Sequence, residues 1–380
     1  MGRTRGSAPA GTAPAGAPRA PGLPAFVARL KDKLGFVTVA DIEPEQPVRT
    51  LFTSYNRATG IGGHPRRRLV LMHGKNQSGK SALALGIAES FRRVGHIPVL
   101  FETEHGAEKR WYNELAMGEG ILLERPGTMD DLVRQTQGLF DMMVAARSQK
   151  KNPLNAQVCY CFIVDTITKL IPMDMLAKIL KDGIGKQFPG QANAVSLWMK
   201  ILIPQLYKLG STMILVTQER ENLDPGGYGP KMKIAGGQAI QFDTSLRVHM
   251  TGAEKVYERV ACGDDDDDDD DKKAGKLMVG LGHSFRIEKN KSAGISEECG
   301  TFYTSNGRGS MPLGFDLVRE VVDEADYRDC IHTREKVTVL KVGDARVLAK
   351  GGKAGLIAKL QAEPELRQQV ADELDNGCAG

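Results

Sequence analysis

The sequence predicts an α/β fold organised around a parallel sheet with crossover helices, and three observations predict it. Short apolar runs that read as strands, at Leu69 to Met72, Ile97 to Phe101, Val158 to Val164 and Thr212 to Val216, alternate with helical patterns at about 79 to 94, 107 to 117, 128 to 147 and 193 to 209. The first run leads through a glycine-bounded loop, GKNQSGKS, straight into a helical pattern. The third run ends on Asp165, which puts a charge at the carboxyl edge of the sheet, where nucleotide sites form.

Taken in order, residues 1–24 are almost entirely Ala, Gly, Pro, Ser, Thr and Arg; with nothing to bury they cannot offset the entropy of ordering, and a disordered tail is expected. Residues 25–48 read as a helix and a strand: AFVARLKDKLG has apolar residues at 26, 27, 30 and 34 and is closed by Gly35, and FVTVADI then alternates. The α/β pattern occupies 49–314. Within its last helical pattern Pro204 predicts a kink or break. After Phe242 the texture changes to shorter alternating runs, then over 315–376 to the helical and hairpin signals of a small α+β section, before a 377–380 tail. No internal repeat is visible.

At 380 residues, two or three folded units are expected on a prior of about 150 residues each. The 41% hydrophobic and 26% charged fractions are globular, and no stretch approaches the roughly 20 apolar residues of a membrane span, which excludes an integral helical membrane protein. The first residues lack the apolar core of a secretory signal. Cysteines at 159, 161, 262, 299, 330 and 378 form neither a metal spacing nor a disulfide framework, so a reducing cytoplasm is expected. Cys159 and Cys161 share one face of a strand and read as core. The formal charge of +4 becomes +12 once the eight aspartates of Asp264 to Asp271 are set aside, a basic body compatible with a polyanion partner.

The chemistry concentrates at four places. Gly74, Lys75, Asn76, Gln77, Ser78, Gly79, Lys80, Ser81 and Ala82 form a phosphate loop: backbone N–H groups and a helix N-terminus cradle phosphates, Lys80 neutralises the terminal ones, and Ser81 ligates Mg²⁺. Asp165 stands where phosphate-loop ATPases put the carboxylate that supports the metal. In FETEHG, Glu102 and Glu104 both qualify to polarise an attacking water, and alternation puts them on one face. Gln218 ends MILVTQ either as a γ-phosphate sensor or as a plain strand cap.

In this order the four elements resemble the RecA family of ATP-driven homologous recombinases, over about 25–376. TSYNRATGIGGHPRRRLVLMHGKNQSGKS is similar to the family's entry into its core, FETEHG to its catalytic-glutamate segment, AGGQAIQF to the end of its second DNA-binding loop, and EKNKSAG to its interface lysine pair. GFDLVREVVDEADYRDCI with KGGKAGLIAKLQAEPELRQQV resembles the small C-terminal lobe of bacterial members, which sets aside a generic kinase or transporter ATPase. The resemblance implies a RecA-like ATPase core with an N-terminal polymerisation arm at 25–48, and it favours Glu104 over Glu102 as the base. It further implies ATP and Mg²⁺ as cofactors, Gln218 coupling nucleotide to DNA, Trp111 beside the adenine unless it is a helix-packing aromatic, and Lys289 and Lys291 reaching the neighbouring subunit's ATP. Taken alone, that lysine pair reads as a solvated strand face.

DNA-binding loops are expected at about 173–192 and 220–237. The first carries Lys178, Lys181 and Lys186 with Ile184 and Phe188; the second carries Arg220, Lys231, Lys233, Met232, Ile234, Gly236 and Gly237. Cations would bind phosphates and apolar tips would insert between bases, with a merely solvated basic loop as the bland alternative. Lys200 matches a family arginine on the DNA backbone. Phe242 matches an interface aromatic, but Gln241 departs from a lysine that contacts the neighbouring ATP site.

The chain ends at Gly380 without a long acidic tail. Its Asp run, a solvated hairpin tip on the plain reading, is expected as a displaced substitute that competes with DNA for the basic surface. The Pro/Ala tail points to a bacteriophage-encoded or otherwise divergent member. The function implied is a cytoplasmic, DNA-dependent ATPase that forms a helical filament on single-stranded DNA and exchanges strands with homologous duplex. A ring helicase or DNA-repair ATPase of the same fold, or an ATP-gated DNA-binding scaffold with little hydrolysis, are the alternatives, and no membrane partner is expected.

Overall fold

Alternate residues of the central strands enter two different cores, which is why those strands read as unbroken apolar runs. In β1 (Leu69–Gly74), Val70 and Met72 join one core while Leu69 and Leu71 join the other. The same division holds in β4 (Tyr160–Asp165), with Cys161 and Ile163 against Phe162 and Val164, and in β5 (Thr212–Glu221), with Ile214 and Val216 against Met213 and Leu215. Cys159 and Cys161 are both buried in the first core. The computed structural model describes residues 23–34, 45–106, 112, 115, 120–151, 153–183, 190–221, 232–261, 274–294, 297–334 and 336–377.

Two units emerge, residues 1–45 and 46–380. In the first, the amphipathic pattern forms α1 (Leu23–Leu34); the expected strand over FVTVADI lies outside the described residues, as do the 1–22 part of the tail, Trp111, Lys186, Lys231 and the Asp run. The second unit is built on a ten-stranded sheet. Its other strands are β2 (Ile97–Glu102), β3 (Leu122–Glu124), β6 (Met232–Ile234), β7 (Leu246–Ala261), β8 (Ala274–Asn290), β9 (Cys299–Ser305) and β10 (Gly314–Phe315), in the order β10-β9-β8-β7-β1-β5-β4-β2-β3, with β6 paired to β5. From β3 to β7 the neighbours run parallel, and from β7 to β10 antiparallel. This is the expected α/β class with a parallel-dominated sheet.

Helices cover both faces. On the first core lie α2 (Thr53–Ala58) and α3 (Lys80–Arg93), the latter through Leu83, Ile87 and Phe91; on the second lie α4 (Met129–Arg147) and α6 (Gly190–Leu209), through Leu132, Phe140, Trp198 and Leu202. A third core joins α8 (Leu317–Tyr327), α9 (Gly352–Ala362) and α10 (Pro364–Asn376) to the sheet of β11 (Ile331–Arg334), β12 (Val337–Val342) and β13 (Ala345–Lys350). Polar bonds tie this third core to α2. Glu320 accepts from the Thr53 hydroxyl and the Ser54 N–H, both at 2.7 Å; Glu324 pairs with Arg57 at 2.7 Å; and Asp375 takes Asn56 at 3.1 Å and Arg49.

Three expectations need correction. Pro204 does not break its helix: α6 runs through it, because the carbonyl that proline cannot serve belongs to exposed Lys200, while Leu202 and Leu206 anchor both sides. The "shorter alternating runs" after Phe242 are β7 and β8, of 16 and 17 residues; register shifts at Arg247/Val248, Met250/Gly252 and Val256/Tyr257 interrupt an alternation that the backbone pairing carries through. The expected loop at 173–192 begins as a helix, α5 (Met173–Asp182), whose sequence MDMLAKILKD is a strong helix former.

Candidate nucleotide site

The loop after β1 needs its glycines. Gly74 has φ 154° and a Cβ there would stand 2.6 Å from the Met250 carbonyl oxygen; Gly79 has φ 96° and a Cβ there would stand 2.5 Å from Nδ1 of His283. His283, on β8, is a residue that sequence reasoning missed. It buttresses the loop, with Nδ1 3.2 Å from the Ser78 carbonyl oxygen and Nε2 3.0 Å from the Thr304 hydroxyl. Its one sequence signal is an imidazole inside an otherwise sheet-forming run.

Lys75, Asn76 and Gln77 are exposed on the loop, whereas Ala82 buries its methyl in the first core. Lys80 is buried, and its Nζ donates to the carbonyls of Gly74 at 3.1 Å and Lys75 at 2.6 Å. Burial pulls its ammonium below the ordinary lysine value, against the opposing influence of Asp165, Glu104 and Glu219. The Ser81 hydroxyl, in the first turn of α3, donates to Asp165 at the end of β4 at 2.5 Å. Burial raises the Asp165 carboxyl, the Ser81 hydrogen bond opposes that, and Glu104 adds to it. Two hard oxygen donors, a lysine and a helix N-terminus therefore converge, a donor set that fits a magnesium-bound polyphosphate.

Glu102 and Glu104, which alternation leaves on one face, have different surroundings. β2 ends at Glu102, which is buried and accepts from Arg125 Nε at 2.9 Å and from the Gly106 N–H at 3.4 Å. Glu104 lies beyond the strand, half exposed, with Oε1 3.1 Å from Gln218 Nε2 and 3.6 Å from Lys169 Nζ. Gln218 is in register with Gly74 across β5 and β1, and its carbonyl accepts from the Ala235 N–H at 3.1 Å. Arg125 and Lys169 are further partners that no motif announced.

Gln218 also opens the β5–β6 ladder, in which Glu219, Arg220 and Glu221 face Ile234, Lys233 and Met232. Gly236 and Gly237 follow with φ 103° and 93°, turning the chain into α7 (Gln238–Asp243); a Cβ on Gly236 would meet Ile240 at 2.6 Å. Arg220, Lys178, Lys181 and Lys200 are exposed, Lys178 standing 3.7 Å from Asp174. Phe242 is 70% exposed. Lys289 Nζ donates to the carbonyls of Gln241 at 3.0 Å and Phe242 at 2.7 Å, and Lys291 is exposed. Burial, and then the like charges of Lys291 and Arg247, lower the Lys289 ammonium.

A phosphate loop on a central parallel strand, with an acidic strand end beside it and a covering helix behind, defines the phosphate-loop α/β class. The family model described as the RecA N-terminal domain matches residues 33–266, and the chain belongs to the RecA family. It is similar to Protein RecA of a Nitratiruptor species, at 24% identity over 88% of this chain and 85% of that protein. Protein RecA of Fusobacterium nucleatum is 26% identical over 85% of this chain and 74% of its own length, and that of Deinococcus radiodurans 26% over 90% and 82%. No helix among the described residues is long and apolar enough to cross a membrane.

Proposed function

We propose that the protein is an ATP-dependent DNA recombinase that forms a helical filament on single-stranded DNA and catalyses homologous pairing and strand exchange in recombination and repair. The observation that carries this reading is the Glu104–Gln218 contact of 3.1 Å, because Gln218 lies beside the phosphate loop and begins the ladder toward the second expected DNA loop. Lys80 neutralises the terminal phosphates. Ser81 and Asp165 hold Mg²⁺, which when bound supplies Lewis-acid charge neutralisation to the phosphates. Glu104 takes the proton of the attacking water, and Gln218, bonded to it, passes the state of the nucleotide to 220–237. Trp111 covers the adenine.

Exposed Lys178, Lys181, Lys200 and Arg220, together with Lys186, Lys231 and Lys233, bind the DNA backbone with little sequence preference, Ile234 inserts between bases, and Gly236 and Gly237 shape the end of that loop. Phe242, Lys289 and Lys291 form the subunit interface. Lys289 acts there through the carbonyls of Gln241 and Phe242 that it holds in its own chain. The arm at 25–48 serves polymerisation, 49–314 is the ATPase core, 315–376 is the small C-terminal domain, and the site of action is the cytoplasm of a bacterial cell or phage-infected host.

Electron microscopy on circular single-stranded DNA, with a slowly hydrolysed ATP analogue, tests this. Continuous helical filaments that vanish in Lys80→Ala are expected. Discrete rings would replace the reading by a ring helicase, filaments without any turnover of ATP by a scaffold, and bare DNA would remove it.

A further inference from the structure

On the opposite face of β1 and β5 from the phosphate loop, four side chains from four strands converge. His73 of β1 and His249 of β7 are in register, their rings stacked at 4.7 Å and within 7° of parallel. Glu219 of β5 places one oxygen, Oε1, 2.8 Å from His73 Nδ1 and 3.1 Å from His249 Nε2. Glu288 of β8 approaches from the other side, 3.1 Å from His73 Nε2 and 3.2 Å from His249 Nδ1. It is the unpaired residue of a bulge, since Arg247 faces Lys289 while Val248 faces Ile287, and the bulge turns its carboxylate onto the histidines.

We propose that His73, His249 and Glu219 form a binding site for a transition-metal dication of the Zn²⁺ class, with Glu288 on the opposite ring nitrogens as the outer partner that orients both imidazoles. One ligand atom each from His73, Glu219 and His249 already lies within 4.8 Å of the others. Tetrahedral zinc with bonds of about 2.0–2.2 Å sets its donors roughly 3.3–3.5 Å apart, close to the separations between the shared Glu219 oxygen and both imidazoles. Two imidazoles and carboxylate oxygens suit zinc and its first-row neighbours, whereas Mg²⁺ takes oxygen alone, so this site and the Ser81–Asp165 pair select different ions. Glu288 meets the far nitrogen of each imidazole and is itself held from outside by Arg247 and Arg286 at 2.9 and 3.4 Å, so it orients the two ring ligands as outer carboxylates do in metal sites. His249 and Glu288 are partly exposed, which gives the ion a way in, while His73 is buried.

The placement gives the site a mechanical meaning. His73 immediately precedes Gly74, Glu219 immediately follows Gln218, and Glu288 immediately precedes Lys289. An ion there clamps together the phosphate loop, the base of the β5–β6 ladder and the strand that holds Phe242.

The test uses the full-length protein, freed of metal with a chelator and returned to buffer with millimolar Mg²⁺, without nucleotide or DNA. Zinc titrated by calorimetry is expected to bind about one equivalent per chain. At about a hundredfold excess over its dissociation constant it should raise the unfolding midpoint by several degrees. Co²⁺ should give tetrahedral d–d bands without thiolate charge-transfer absorption, which separates this site from cysteine. His249→Gln, at the partly exposed ligand, and Glu219→Gln, which keeps side-chain shape, should each lower zinc affinity at least about tenfold while retaining the wild-type circular dichroism spectrum. No zinc binding to the wild type, thiolate bands with cobalt, or unchanged affinity in both variants would overturn the proposal; in the first case the four residues form only a proton-sharing ion-pair cluster.

Discussion

Two polar sites share the carboxyl edge of β1 and β5, one on each face; both contain carboxylates, but the groups beside those carboxylates differ. Facing the first core, Gly74, Lys80, Ser81, Asp165 and Gln218 offer backbone, ammonium and oxygen; facing the second, His73, Glu219, His249 and Glu288 offer imidazole and carboxylate. Period-two alternation makes this possible: Gly74 and His73 are neighbours, as are Gln218 and Glu219, so one peptide unit separates residues committed to different chemistry. The difference teaches that the carboxyl edge of a doubly covered sheet is two surfaces. A side-chain change on one face is expected to leave the ligand affinity of the other largely intact.

The sharpest break between the two faces should come from Lys80→Ala. It should lower ATP turnover by at least about 10²-fold, read as phosphate release, because a preorganised charge on the phosphates is gone; zinc affinity on the opposite face should stay within about twofold. Equal losses at both sites would make them one site. Next, Glu104→Gln should retain ATP and DNA binding while turnover falls by about 10²-fold or more, and wild-type turnover in that variant would reassign the base. Its neighbour gives the contrast: Glu102→Gln weakens the Arg125 pairing and should lower the melting temperature more than it alters chemistry.

A control away from both faces concerns pH. Burial pushes the Glu320 carboxyl up to about 7, with the Ser54 and Thr53 hydrogen bonds opposing and Glu324 adding to the rise. The folded state thus holds that proton more tightly than the unfolded state, whose ordinary value is 4.5. The proton's stabilisation is fully present below about 4.5 and is lost as pH climbs through about 7, a loss on the order of 3 kcal/mol. Denaturant midpoints of Glu320→Gln should show a flatter profile between pH 5 and 8 than wild type, by about that much. The smallest effect is expected at the shared wall. Gly79→Ala, strained at its φ of 96° and colliding with His283, should cost about 1–3 kcal/mol by chemical denaturation, and a cost near zero would mean the loop and β8 are not coupled.

What the sequence disclosed follows the range of its interactions. The phosphate loop is contiguous, and a strand covered on both faces announces itself as an apolar run, so β1, β2, β4 and β5 were legible. Choosing between Glu102 and Glu104 on residues alone depends on where β2 ends, a tertiary fact that alternation does not contain. The His73–Glu219–His249–Glu288 cluster was not legible at all. Its members are scattered over four strands, are brought level only by the sheet register, and in the case of Glu288 are aimed by a bulge. Bulges likewise disguised β7 and β8 as short runs, and His283 was invisible because its partner, the Ser78 carbonyl, lies 205 positions earlier.

The bonds that tie α2 to the last core carry a consequence for how the chain is made. Thr53, Ser54, Asn56 and Arg57 emerge early in synthesis, yet their partners Glu320, Glu324 and Asp375 are encoded 266 to 319 positions later. At about 5–20 residues per second, the α2 polar groups wait on the order of half a minute before any of these partners exists. Until then the segment entering the phosphate loop has no finished surroundings. Closure of the polar contacts around α2 therefore waits for α8 and α10, and a nascent fragment halted before Leu317 lacks the carboxylates that complete them.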